Sequence, residues 1–215
     1  MPRLPVGQSV CDNNQKAIKW QRRKRVTKVK DMKQDSEAPR CRIMVKSDHD
    51  QDLEEVWSQG IGTLATWHSR YSIGNVQPEE SYDEYMSNVT DESAVVEIYM
   101  YDHSGLAFST APFSCPWDSG RLGVWVVTPD ELRAEYGDDT PESRSKAERF
   151  IRSRIETMND ICQGNAWGYE VLDFDGEVCD SCWGFIGDTA KEQMAEYLPE
   201  NLHDDLERAW ERRHD

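Results

Sequence analysis

The chain has 215 residues, enough for a sizeable core plus appendages, and its eight Trp and eight Tyr among 37% hydrophobic residues exclude disorder throughout. No apolar run approaches the roughly 18 to 20 residues that span a bilayer, and no apolar segment follows the first basic residues, so the sequence predicts a soluble, cytoplasmic protein. The net charge of −16 hides a split: residues 1–42 hold 12 Lys and Arg against 4 Asp and Glu, whereas residues 43–215 hold 13 against 37. That acidic body excludes a basic, aromatic-studded nucleic-acid face.

Residues 1–42, centred on the run KAIKWQRRKR at 16–25, show no sustained amphipathic period. They read as a disordered basic leader, able to bind nucleic acid or the acidic body, or as upstream sequence before a true start at Met32 or Met44. From residue 43 onward one acidic α+β domain is expected, without a Pro/Gly/Ser-rich linker or an internal repeat.

A short strand is predicted over 60–67, a turn over 68–74 and a short helix over 79–88. Residues 94–101 and 106–110 read as a hairpin closed by the loop Asp102-His-Ser-Gly105, and 123–127 as a third strand. Thr128-Pro-Asp-Glu131 supplies an N-cap, a proline at the first helical position and a glutamate two residues later, which together start a helix that Gly137 ends. Thr140-Pro141 opens a longer helix with a stripe of Ala147, Phe150, Ile151, Ile155, Met158, Ile161 and Cys162, terminated at Gly164. Residues 166–174 and 177–185 are predicted to pair across a two-residue turn at Asp175-Gly176. Acidic helices follow over 189–197 and from Pro199 onward. The expected architecture is thus an antiparallel sheet of hairpins packed against one long amphipathic helix, with acidic C-terminal helices.

Six cysteines, at 11, 41, 115, 162, 179 and 182, are scattered and read as reduced thiols. A cysteine hydrolase needs a thiolate, a base and a group orienting the base, and Cys115, His103 and Asp102 or Asp118 supply those types. Against this, Cys115 precedes a proline and opens no helix that would favour a thiolate. The alternative is a pair of adjoining loops at one end of the sheet, 102–104 and 114–120, that hold one another through hydrogen bonds: Ser104, Asp118 and Ser119 cap turns by bonding to backbone, Asp102 belongs to the same cluster, and Trp117 and Phe113 plug the sheet edge. Cys179 and Cys182 have the spacing of half a zinc site, but no second pair accompanies them, and strand alternation would point them to opposite faces. The glycines form neither GxGxxG nor GxxxxGK[ST], so no nucleotide cofactor is expected.

The acidity carries two readings. Ordered carboxylates at Glu192, Glu196, Glu200, Asp204, Asp205 and Glu207 can imitate spaced phosphates and occupy a partner's DNA groove. Alternatively, three lysines against ten arginines over 43–215, amid excess Asp and Glu, match adaptation to a salty cytoplasm.

The blocks YDHSG at 101–105, FSCPWDSG at 113–120 and DSCWGF at 180–185, with the strand between the first two and the third, resemble a family of uncharacterised proteins carried by phages, prophages and plasmids. The resemblance spans about residues 57–188. It implies a mobile-element context, and in that family the counterpart of Cys182 recurs while that of Cys179 often does not. The resulting expectation is a non-enzymatic, cytoplasmic accessory protein that binds and inhibits a host defence or nucleic-acid-handling protein, without membrane, metal or cofactor. Its rivals are a hydrolase using Cys115 and His103 and a virion or assembly component.

Overall fold

The computed structural model describes residues 41–213 and is α+β. The leader expected over 1–42 lies outside the described residues except for Cys41 and Arg42. In chain order the strands are β1 (Arg42–Ser47), β2 (Thr63–Thr66), β3 (Ala94–Asp102), β4 (Leu106–Ser109), β5 (Ser119–Val127), β6 (Ala166–Leu172) and β7 (Val178–Ile186). The α-helices are α1 (Leu53–Ser58), α2 (Tyr82–Ser87), α3 (Pro129–Tyr136), α4 (Pro141–Cys162), α5 (Ala190–Ala195) and α6 (His203–Glu211), with a 3-10 turn at Glu200–Leu202.

The strands form two sheets rather than the single sheet expected, in the orders β2-β5-β3-β4 and β1-β6-β7. Where the sequence reads as one body from residue 43, the chain divides into two compact units. One contains residues 49–166 and 186–188, and the other residues 41–48, 167–185 and 189–213 of those described.

In the first unit β3 alternates as the period-two pattern requires, burying Ala94, Val96, Ile98 and Met100 and leaving Val95, Glu97, Tyr99 and Tyr101 on the other face. Central strand β5 is buried at every position from Leu122 to Val127, because both of its faces are covered. Val124 and Val126 pack with Ala65 beneath Trp67, Tyr82, Tyr85 and Met86. β5 also begins four residues before the expected strand, and between Ile98 and Tyr99 its pairing with β3 skips Leu122, a bulge that redirects Arg121 and Gly120. β2 is shorter than expected because Gly62, at φ 82°, adopts a conformation that interrupts strand geometry.

α3 begins as its sequence dictates: Thr128 and Glu131 form a reciprocal capping box. α4 starts at the Thr140 cap and buries Ala147, Ile151, Arg154, Ile155 and Met158. It also closes the sheet's exposed edge. Asn159 accepts from the Phe108 N–H at 2.7 Å and donates to the Phe108 carbonyl at 2.8 Å, acting as a one-residue partner strand for β4. Asn159→Ala is expected to strand both main-chain groups and lower unfolding stability by about 2 kcal/mol in urea denaturation, whereas a change below about 0.5 kcal/mol would refute this role.

In the second unit Ile43 and Val45 of β1 pair with Val171 and Tyr169 of β6. Their shared core adds Trp167, Cys182, Phe185, Met194, Leu198 and Leu206. The β6–β7 connection is not the two-residue turn expected. Asp173 N–H donates to the Glu177 carbonyl, and the Asp173 carboxylate accepts from the Asp175 and Glu177 N–H groups at 3.0 Å each, organising a wider loop. This leaves Phe174 exposed at its tip. Among the described residues no helix is long and apolar enough to cross a membrane.

Candidate functional site

The first unit carries an open cleft of about 400 Å³ lined by His68, Arg70, Asp102, Trp117, Asp118 and Arg121, among others. Three segments build it: the loop after β2, the β3–β4 hairpin, and the turn that leads into β5.

The loop after β2 is set by His68, whose Nδ1 accepts from the N–H groups of Arg70 and Tyr71 at 3.2 Å each. When the ring is neutral, this pattern leaves its proton on Nε2. The imidazole stacks on Tyr71 at 5.1 Å. Arg70 and Tyr71 then converge on one oxygen of Asp102, Nη1 at 2.6 Å and the phenol at 3.1 Å. Asp102 is therefore an anchored carboxylate at the end of β3.

The turn is held just as closely. Ser119 Oγ donates to the Cys115 carbonyl at 2.5 Å, the Cys115 thiol donates to Asp118 Oδ2 at 3.5 Å, and the Asp118 carbonyl accepts from the Asp102 N–H at 2.8 Å. The last of these bonds joins the two loops. Asp102, Asp118 and Ser119 are thus brought together, while Ser104, at φ 56°, donates to the carbonyl of His103 beside it. Phe113 packs on Tyr101 with ring centres 5.8 Å apart. Trp117 corrects the expectation of a plug: its ring is 90% exposed, because the bonded turn projects it away from the sheet.

The arrangement supplies carboxylate chemistry more readily than thiol chemistry. His103 Nδ1 lies 3.7 Å from Asp118 Oδ2, the same oxygen that receives the Cys115 thiol. The carboxylate stands between thiol and imidazole, so the imidazole is not the thiol's hydrogen-bond partner as a nucleophile–base pair requires.

Sequence reasoning missed His68, Arg70 and Arg121. Arg121 lies opposite Tyr99 in the ladder, its guanidinium 3.5 Å from the Tyr82 ring centre and Nη1 3.2 Å from Glu97. The Tyr99 and Tyr82 hydroxyls also donate to Glu97, and these bonds hold its carboxyl below the usual range. Only the register created by the bulge reveals this cluster; no spacing in the sequence does.

The remaining candidates lie in the second unit. The Cys179 thiol donates to the Val171 carbonyl at 3.2 Å and burial raises its pKa; Cys182 is 4% exposed. Cys182 belongs to the core of this unit, and Cys179 packs against it. No group of three or more His, Cys, Asp or Glu is placed to hold a metal among the described residues. Cys41, Cys115, Cys162, Cys179 and Cys182 are free thiols.

On the C-terminal elements Glu192, Glu196, Glu200, Asp204 and Glu207 are exposed, and Asp205 is half-buried. Glu207 pairs with Lys191 at 2.9 Å and Asp205 with Arg208 at 2.5 Å. Glu192, Glu196, Glu200 and Asp204 form no ion pair among the described residues.

Comparison of the chain with family models, curated proteins and solved structures returns no match.

Proposed function

We propose that the protein is a non-enzymatic accessory factor of mobile elements. It acts in the host cytoplasm by binding and inhibiting a defence or nucleic-acid-handling protein, with neither cofactor nor membrane involved. The observation that carries this reading is the set of exposed carboxylates at Glu192, Glu196, Glu200 and Asp204, which form no ion pair among the described residues, on a chain whose net charge is −16. Carboxylates outside ion pairs retain most of their attraction for a partner's Arg and Lys, Glu192 the least because Lys191 stands near it, and their field accelerates encounter with a basic groove. Asp205 and Glu207 contribute less, since each already faces a cation of its own chain.

The test is an affinity pull-down of the tagged chain from host lysate, with nuclease added and salt varied, read by mass spectrometry. Expected is a stoichiometric nuclease, helicase or other nucleic-acid-handling protein that salt releases. Replacing Glu192, Glu196 and Glu200 by Gln and Asp204 by Asn should weaken its capture by about fourfold or more, since four exposed charge pairs at roughly 0.2 to 1 kcal/mol each sum to about 0.8 kcal/mol at the least. Recovery of no specific partner, or equal capture by the neutralised variant, would sink the proposal.

A further inference from the structure

We infer that the cleft beneath Trp117 is a receptor for an arginine side chain presented by a basic protein partner. The inference rests on the proposed function for the identity of the partner, and on the cleft alone for its chemistry.

Trp117 is 90% exposed and lies inside the turn that the Ser119–Cys115 bond closes. An indole held in water on a hydrogen-bonded turn presents a large π face with two side-chain torsions to order, the property that makes tryptophan an interface anchor. The next residue, Asp118, is 38% exposed, and its carboxylate receives only the 3.5 Å thiol contact and the 3.7 Å imidazole contact. A carboxylate has about four acceptor positions, so Asp118 retains most of its capacity. An electron-rich ring and an under-used carboxylate on adjacent residues form a cation receptor.

Charges around the cleft agree. Arg70 is neutralised by Asp102 at 2.6 Å, and Arg121 by Glu97 at 3.2 Å, with its guanidinium laid on Tyr82. Each guanidinium is thus already engaged by a carboxylate of this chain, and the chain's net charge of −16 repels a phosphate. A guanidinium suits the site better than an ammonium, because its plane stacks on indole while its fork meets both carboxylate oxygens.

The test titrates the full-length chain into fluorescein-labelled nona-arginine and nona-lysine peptides and reads anisotropy at an ionic strength of about 0.15 M, where distant charges are screened. Nona-arginine is expected to bind the more tightly. Trp117→Ala should weaken it about five- to tenfold and change nona-lysine by less than about twofold. Asp118→Asn should weaken both peptides. Phe174→Ala, which removes another exposed aromatic ring, should change neither. Equal affinity of the native chain for the two peptides, or an arginine preference that survives Trp117→Ala, overturns the inference. So does Trp117-dependent binding of a labelled oligothymidine more tightly than nona-arginine. Because the peptides require no natural partner, failure here leaves the pull-down result standing, and failure of the pull-down leaves the cleft's arginine preference measurable.

Discussion

Gly123→Ala is expected to lower the unfolding free energy by about 3 kcal/mol, although it adds a single methyl group. A Cβ at this position would lie 2.0 Å from the Ala65 carbonyl oxygen and 2.8 Å from the Thr66 Cα. Both obstacles are backbone, so no rotamer change relieves them. The only escape is to move β2 away from β5, and Thr66↔Gly123 is one of just four residue pairs joining these strands. β2 also carries Thr66, whose N–H donates to the Val76 carbonyl at 3.0 Å and so tethers the loop bearing His68 and Arg70. Urea denaturation of the variant measures the cost. A midpoint close to that of the native chain would mean that the β2–β5 approach is wrong.

Phe185→Ala should have a comparable or larger effect in the second unit, about 3 to 5 kcal/mol. The ring is 0% exposed, stacks on Tyr169 at 5.9 Å and meets the edge of Tyr197 at 5.8 Å. Truncation would remove the aromatic contacts and leave a cavity among Met194, Leu198 and Leu206, side chains already committed to neighbouring helices. Phe185→Leu, which keeps most of the volume, should cost about 1 to 2 kcal/mol. Near-ultraviolet circular dichroism during denaturation distinguishes the two variants. Equal, small losses would show that Phe185 is not central to this core.

The elements legible in the sequence are those whose signal is local. Thr128, Pro129 and Glu131 specify a helix start through bonds among themselves, and the hairpin of β3 and β4 is written in contiguous residues. What the sequence left unread depends on distant partners. β1 was not anticipated although Ile43 and Val45 alternate with Met44 and Lys46, because six residues acquire strand character only when β6 arrives beside them. For the same reason two sheets read as one.

At the site, Ser119 was legible from residue type, since a short polar side chain in a turn bonds to nearby backbone, whereas the Asp102 carboxylate meets Arg70 and Tyr71 and the Asp118 carboxylate meets the Cys115 thiol instead of backbone. The direction of Trp117 was not. Residue type favours burial, whereas the turn's hydrogen bonds determine orientation, and here the turn prevails. Arg121 was hidden by the bulge at Leu122, which no single-residue propensity encodes.

The second unit's discontinuity has a consequence for biosynthesis. Lys46 on β1 bonds Glu170 on β6, 124 positions further along the chain. At translation speeds of roughly 5 to 20 residues per second, β1 leaves the ribosome about 6 to 25 s before its partner strand is made. The four-stranded sheet can pair within that interval, since all of its strands are synthesised before β6, although residues 186–188 of its unit are made after β6. During the wait Ile43 and Val45 lack their docking surface, and the flanking charges of Arg42 and Lys46 are the strand's own guard against pairing with another nascent chain.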